Sequence, residues 1–171
     1  MDQLKAKIRN IPDFPKPGIL FFDITTLLRD AEGFRQAIDA LATPFQGKNI
    51  DAVVGMESRG FIFGAAVADR LGVGFIPVRK PGKLPSKTVK ATYDLEYGTD
   101  SLEMHVDAVE KGTRVLVVDD LLATGGTAKA TVSLLRGQGA DVVGVSFLIE
   151  LVDLGGRAKL TGEQVSAVLQ Y

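Results

Sequence analysis

Two adjacent acids, Asp119 and Asp120, stand at the end of an apolar run and directly before Leu-Leu-Ala-Thr-Gly-Gly-Thr at 121–127. Residues 115–118 are Val-Leu-Val-Val, a run that reads as a buried strand, and a helical pattern begins at Ala128. In open α/β sheets ligands bind outside the carboxyl ends of strands, which is where both acids would stand. The turn from Ala123 through Thr124, Gly125 and Gly126 to Thr127 carries no side chain larger than threonine. Its backbone N–H groups can therefore approach an anion, two hydroxyls add donors, and the positive end of the next helix points the same way. That chemistry suits a phosphate monoester. A bare Thr-Gly-Gly-Thr is more often only a tight turn; the acid pair at a strand end and the helix behind it favour the cradle.

Further cations fall where they could serve the same crevice. Ser58 and Arg59 follow the apolar run 51–56, and Arg79, Lys80 and Lys83 follow the run 74–78. Two other phosphate motifs fail. Gly137-Gln138-Gly139 has Val142 where a dinucleotide fingerprint needs glycine and ends a helix rather than opening one, and no P-loop pattern occurs.

These residues need a scaffold to hold them. The runs 51–56, 74–78, 114–118 and 142–149 are apolar at nearly every position, the mark of strands covered on both faces of a parallel sheet. Between them, 62–71 and 128–136 have helical spacing and end at Gly72 and Gly137, so strand–helix–strand units predict an α/β fold with a parallel sheet flanked by helices. An earlier helix is predicted over 30–45, stopped by Pro44. Three prolines between Pro12 and Pro17 forbid a helix and mark an ordered turn. The segment 80–112 interrupts the alternation with a basic stretch followed by a β-hairpin, 89–97 and 101–106 around Gly98, placed to act as a lid. His105, at its far end, reads as a satisfied surface histidine.

Length and composition set bounds on function. The 171 residues suit one domain, and 20 basic against 21 acidic residues leave a net charge of −1, which argues against nucleic acid as a partner. With no cysteine and one histidine, the chain lacks a disulfide framework, a thiolate metal site and a cysteine nucleophile. It shows no signal-peptide pattern and no apolar run of membrane-spanning length, so a cytoplasmic setting without a membrane partner is expected.

Asp-Asp-Leu-Leu-Ala-Thr-Gly-Gly-Thr at 119–127 resembles the phosphoribosyl-pyrophosphate signature of type I phosphoribosyltransferases, in the form their adenine-using members carry. Five more stretches match in order: Phe-Pro-Lys-Pro-Gly-Ile-Leu-Phe from Phe14, Glu-Ser-Arg-Gly-Phe from Glu57, Arg-Lys-Pro-Gly-Lys-Leu-Pro from Arg79, Tyr-Asp-Leu-Glu-Tyr-Gly from Tyr93 and Leu-Gln-Tyr from Leu169. The resemblance covers nearly the whole chain. It implies one domain over 1–171, with a hood and base-binding segment at 1–30 and the lid loop and hairpin at 80–112.

The reaction it implies is transfer of the phosphoribosyl group from phosphoribosyl pyrophosphate to N9 of adenine, giving AMP and pyrophosphate. Roles carry over by position. Ala123, Thr124, Gly125, Gly126 and Thr127 would hold the 5′-phosphate, and Asp119 and Asp120 the ribose hydroxyls. The same acids would meet Mg²⁺ through water. Arg59, Arg79, Lys80 and Lys83 would hold pyrophosphate, with a cis peptide at Glu57–Ser58. Glu96, beside Tyr97, would exchange a proton with N7 of adenine. Phe21 would stack on the purine and the Leu20 backbone would read its edge. Glu96, Asp119, Asp120 and Arg59 are thus the implied catalytic set, and a homodimer is the implied assembly. Phe22 departs from the pattern, since a basic residue commonly precedes the aspartate. The alternatives are transfer to another purine base, or a regulator that binds phosphoribosyl pyrophosphate without turnover; the lid motif favours adenine, and the chain has no spare length for a DNA-binding domain.

Overall fold

All five residues of the run 52–56 are buried, as a strand covered on both faces must be. The computed structural model describes residues 2–95 and 98–171. A short helix α1 (Asp2–Lys5) opens the chain, and β1 (Arg9–Ile11) pairs antiparallel with β2 (Phe21–Asp23) around the proline-rich turn. Helices α2 (Thr25–Leu28) and α3 (Ala31–Ala42) follow, the latter capped by Asp30, whose carboxylate accepts from the Gly33 N–H at 2.6 Å. The pattern predicted as helix to residue 45 tightens at Pro44 into a 3₁₀ turn, Thr43–Phe45.

Then come β3 (Ala52–Met56), α4 (Arg59–Leu71), β4 (Gly74–Val78), the hairpin β5 (Thr88–Asp94) and β6 (Thr99–His105), β7 (Arg114–Leu122), α5 (Gly126–Gly137), β8 (Asp141–Glu150) and β9 (Val165–Gln170). Five strands form a parallel sheet in the order β4-β3-β7-β8-β9. Because the chain starts this sheet in the interior, at β3, runs outward to β4 and returns to β7 on the other side, the strand order reverses between β3 and β7. The loops leaving their carboxyl ends diverge there and open a crevice.

One face of the sheet is covered by α3 and α4, through Leu41, Phe63, Val67, Leu116 and Val118; the other is covered by α5 and the hairpin, through Val117, Leu135, Leu102 and Met104. The hairpin predicted as a lid has the register Thr88↔His105 to Asp94↔Thr99, and its β6 strand is built into the core, with Leu102 and Met104 both buried.

Other boundaries also differ from the sequence reading. Strand β7 continues past Val118 to Leu122 because Asp119, Leu121 and Leu122 still pair with β8. Helices α4 and α5 start earlier than their apolar patterns, at Arg59 and Gly126. The fifth strand, β9, was not anticipated; it is an edge strand, and only Val168 and Leu169 in it are buried.

Candidate functional site

The continuation of β7 determines what its two acids can do. Successive strand residues face opposite sides, so Asp119 and Asp120 diverge. Asp119 lines a hollow of about 90 Å³ together with Leu121, Leu122 and the turn 123–128. Asp120 lines a second, mostly apolar cavity of about 160 Å³ with Ile19, Leu20, Phe21, Phe22, Arg59, Leu121, Ile149 and Leu151. The acid pair therefore separates a phosphate-sized polar hollow from an apolar slot walled by aromatic rings.

The polar hollow is shaped by glycine. Gly125 has φ +79°, and α5 begins directly after it, so the positive end of that helix faces the hollow. Thr127 Oγ1 donates to the Tyr93 hydroxyl at 3.4 Å, and Thr124, Gly126 and Thr127 share a larger opening of about 490 Å³ with Tyr93, Asp94, Leu95 and Lys159. Tyr93 opens one of the matching stretches but was given no role from sequence, and Lys159, a surface lysine, carries no local signal.

Asp119 is packed against the start of α4. A Cβ on Gly60 would fall 2.7 Å from its Oδ1, which also accepts the Asp120 N–H at 2.9 Å. Burial, and then the charge of Asp120, push the Asp119 carboxyl well above the usual carboxylate range; the Asp120 N–H and the Arg59 guanidinium act against them. Asp120 is held otherwise, by Arg59 Nε at 2.5 Å from its Oδ2. The Arg59 guanidinium lies 5.9 Å from the centre of the Phe21 ring, which meets Phe14 edge-on at 5.1 Å. Leu20 and Phe14 are about half exposed at the mouth of the slot.

The other predicted cations gather around a carboxylate that sequence reading left without a role. Glu57 accepts from Lys83 Nζ at 2.6 Å and from the Lys80 N–H at 2.5 Å, and Arg79 Nε lies 3.6 Å away. Burial alone would raise its pKa, but the Lys83 and Lys80 hydrogen bonds and the charges of Lys83 and Arg79 outweigh it, and the net shift is downward. The Lys80 side chain pairs instead with Asp100 and lies 3.3 Å from the Tyr93 hydroxyl. The peptide bond Glu57–Ser58 is cis, as the resemblance implied, and so is Phe14–Pro15. Glu96 and Tyr97 lie outside the described residues. Ser58 precedes the first turn of α4 and makes no side-chain cap.

Phe22, the departure from the pattern, packs on Tyr171 with ring centres 4.0 Å apart, and Lys5 Nζ lies 4.5 Å from the centre of the Tyr171 ring. The hood therefore docks on the segment after β9 by an aromatic contact, with a cation from α1 beside it. His105 accepts from the Ser86 N–H at 3.3 Å, in keeping with a surface structural role. Among the described residues no three acidic or histidine side chains converge as a metal cage, and no helix is long and apolar enough to cross a membrane.

A small polar hollow at a helix start, an acid pair near a strand end and an arginine across the switch point thus lie together at the carboxyl edge of the sheet. Residues 25–162 match the model of the phosphoribosyl transferase domain family. The chain is 58% identical over 170 residues to an adenine phosphoribosyltransferase of Acidobacterium capsulatum, covering 99% of this chain and 94% of that one. It is 62% identical over 159 residues to that of Nitrobacter hamburgensis, covering 93% and 89%. The crystal structure of the adenine phosphoribosyltransferase from Thermoanaerobacter pseudethanolicus superposes with a TM-score of 0.96 at 52% identity, covering 99% of both chains. That of Saccharomyces cerevisiae, complexed with an imino-altritol bisphosphate and adenine, gives 0.92 at 43%, covering 98% and 97%. The chain belongs to the phosphoribosyltransferase family, within its adenine phosphoribosyltransferase branch.

Proposed function

We propose that this protein transfers the phosphoribosyl group of phosphoribosyl pyrophosphate to N9 of adenine, releasing AMP and pyrophosphate in purine salvage. One observation carries this reading: consecutive acids of β7 face an anion hollow on one side and an apolar, aromatic slot on the other. A nucleoside monophosphate has the same order, base, ribose, phosphate, with the ribose lying across the acids. The S. cerevisiae enzyme holds adenine and a sugar bisphosphate analogue in one complex, which supports a shared site for both.

In this reading the 5′-phosphate meets the N–H groups and hydroxyls of Ala123, Thr124, Gly125, Gly126 and Thr127. The purine enters the slot against Phe21, with the Leu20 backbone at its edge. Attack forms the N9–C1 bond while the C1–O bond breaks, and the bonding pair leaves with pyrophosphate. The sugar ring becomes cationic between the two, and carboxylates at Asp119 and Asp120 stabilise it where charge develops. Arg59, Arg79, Lys80 and Lys83 receive the leaving group; the ion pairs with Asp120, Glu57 and Asp100 hold these cations ready at the crevice. Glu96, which follows Leu95 in the sequence, takes the proton from N7 as N9 bonds to C1, so the base leaves neutral.

Mg²⁺ keeps several waters and binds largely through substrate phosphates, so it needs no cage of protein carboxylates, of which the described residues have none. Asp119 and Asp120 would hold it through water, and when bound it neutralises the leaving pyrophosphate. A homodimer and a cytoplasmic setting belong to the same reading.

A turnover assay with phosphoribosyl pyrophosphate, Mg²⁺ and each purine base tests the proposal. Adenine should yield AMP. Reaction with another base and none with adenine defeats the specificity, and no reaction with any base defeats the enzyme.

A further inference from the structure

The phosphate loop rests on another backbone. Gly156 opens the 3₁₀ turn Gly156–Leu160 after β8 and is buried. A Cβ on Gly156 would lie 2.2 Å from the carbonyl oxygen of Ala123 and 3.0 Å from the Gly125 nitrogen. Conversely, a Cβ on Gly125 would lie 2.4 Å from the carbonyl oxygen of Gly156. The two main chains interlock with no side chain between them, so no rotamer change can make room. Gly155, one residue earlier at φ +63°, has nothing within 4 Å of its Cβ position.

The turn is also pinned from its far side. Arg157 Nε and Nη2 donate to Glu150 at 2.9 and 2.5 Å, and Nη1 donates to the Val165 carbonyl at 2.9 Å. Glu150 is buried at the end of β8, and Leu160 is buried in the core beneath α5. A segment held at both ends thus supports the one loop whose N–H groups must meet a phosphate.

We infer that Gly156 is a positioning residue for the transfer reaction. By admitting direct backbone contact, it sets the depth of 123–125 and keeps the Gly125 N–H open toward the 5′-phosphate. This inference rests on the proposed function. A methyl group at 156 displaces Ala123 and crowds Gly125, while the purine slot, on the opposite side of β7, is untouched. The damage is therefore selective for the sugar-phosphate substrate.

Steady-state kinetics of Gly156→Ala against both substrates test this. The KM for phosphoribosyl pyrophosphate should rise about 10- to 100-fold, the scale of a misplacement near 1 Å. The adenine KM should stay within about twofold and kcat within about fivefold, because the base slot and the acids keep their places. Gly155→Asn, which keeps the left-handed backbone next door, should change neither KM. An unchanged KM for phosphoribosyl pyrophosphate in Gly156→Ala, or parallel losses in both KM values and kcat, overturns the inference. If Gly156→Ala does not fold, Arg157→Met loosens the same turn from outside. It should give a smaller rise confined to phosphoribosyl pyrophosphate, and no selective rise there overturns the inference as well. Wild-type protein that fails to turn over adenine would instead defeat the proposed function.

Discussion

The Arg59 guanidinium at the start of α4 and the Asp120 carboxylate near the end of β7 meet at 2.5 Å across the switch point of the sheet. The pair ties the start of α4, after β3, to the end of β7. It also holds the arginine, half exposed, between the apolar slot and the crevice.

In the proposed reaction Arg59 exchanges a carboxylate for pyrophosphate, so its partner competes with the ligand. With the arginine half exposed and only the carboxylate buried, such a pair is worth about 1 kcal/mol, or roughly fivefold in affinity. Asp120→Asn should therefore bind pyrophosphate about 3- to 10-fold more tightly by calorimetry, while its turnover drops at least about tenfold. Arg59→Gln should weaken pyrophosphate binding instead. Weaker binding in both variants would mean that the pair serves the ligand jointly rather than in exchange.

Phe21 forms the wall of the slot, braced edge-on by Phe14. Stacking of a base on an aromatic ring contributes about 1–3 kcal/mol. Phe21→Ala should raise the adenine KM by about 10- to 100-fold and leave that of phosphoribosyl pyrophosphate nearly unchanged. A rise in both would point to collapse of the hood rather than loss of a stacking surface.

Burial of the Asp119 carboxyl works against stability when it is ionised. Its folded pKa is raised by burial and by Asp120, so ionisation at neutral pH works against folding, and the penalty vanishes below the unfolded pKa near 4. Asp119→Asn should raise the Tm at pH 7.5 by about 2–4 °C, the shift that about 1 kcal/mol produces at this size. The gap should close toward pH 4, and turnover should fall at least about 100-fold. A lower Tm at pH 7.5 would show that the carboxylate is stabilising where it stands.

Asp23 behaves in the opposite sense. The Thr25 N–H at 2.9 Å, the Thr25 hydroxyl at 2.7 Å and Arg9 hold its pKa at about 2, tying β2 to β1 and α2. Its contribution is present above the unfolded pKa near 4 and is lost as pH falls toward 2. Denaturant midpoints of wild type and Asp23→Asn should differ at pH 6 and converge by about pH 2. A difference independent of pH would assign the effect to packing.

Much of this site was legible in the chain because its parts are local. The loop 119–127 displays its strand, acids, small turn and helix start in nine residues, and each follows from side-chain size, charge or backbone freedom. The apolar runs at 52–56 and 115–118 likewise announce strands buried on both faces. Strand β9 was hidden because an edge strand with two buried residues shows little pattern.

The chain alone determined that a parallel sheet would form, that a small-residue turn would follow the acid pair, and which acids and cations were available. Those outcomes depend on neighbours in sequence. What required the tertiary structure was direction and partnership. That β7 runs on to Leu122, turning Asp119 and Asp120 to opposite sides, depends on its pairing with β8. That Glu57 gathers Lys80 and Lys83 depends on β3 and β4 lying side by side. That Gly156 supports a loop more than thirty residues earlier depends on a turn folded back over the sheet edge. Each is a contact between segments distant along the chain, and no propensity of either segment encodes it.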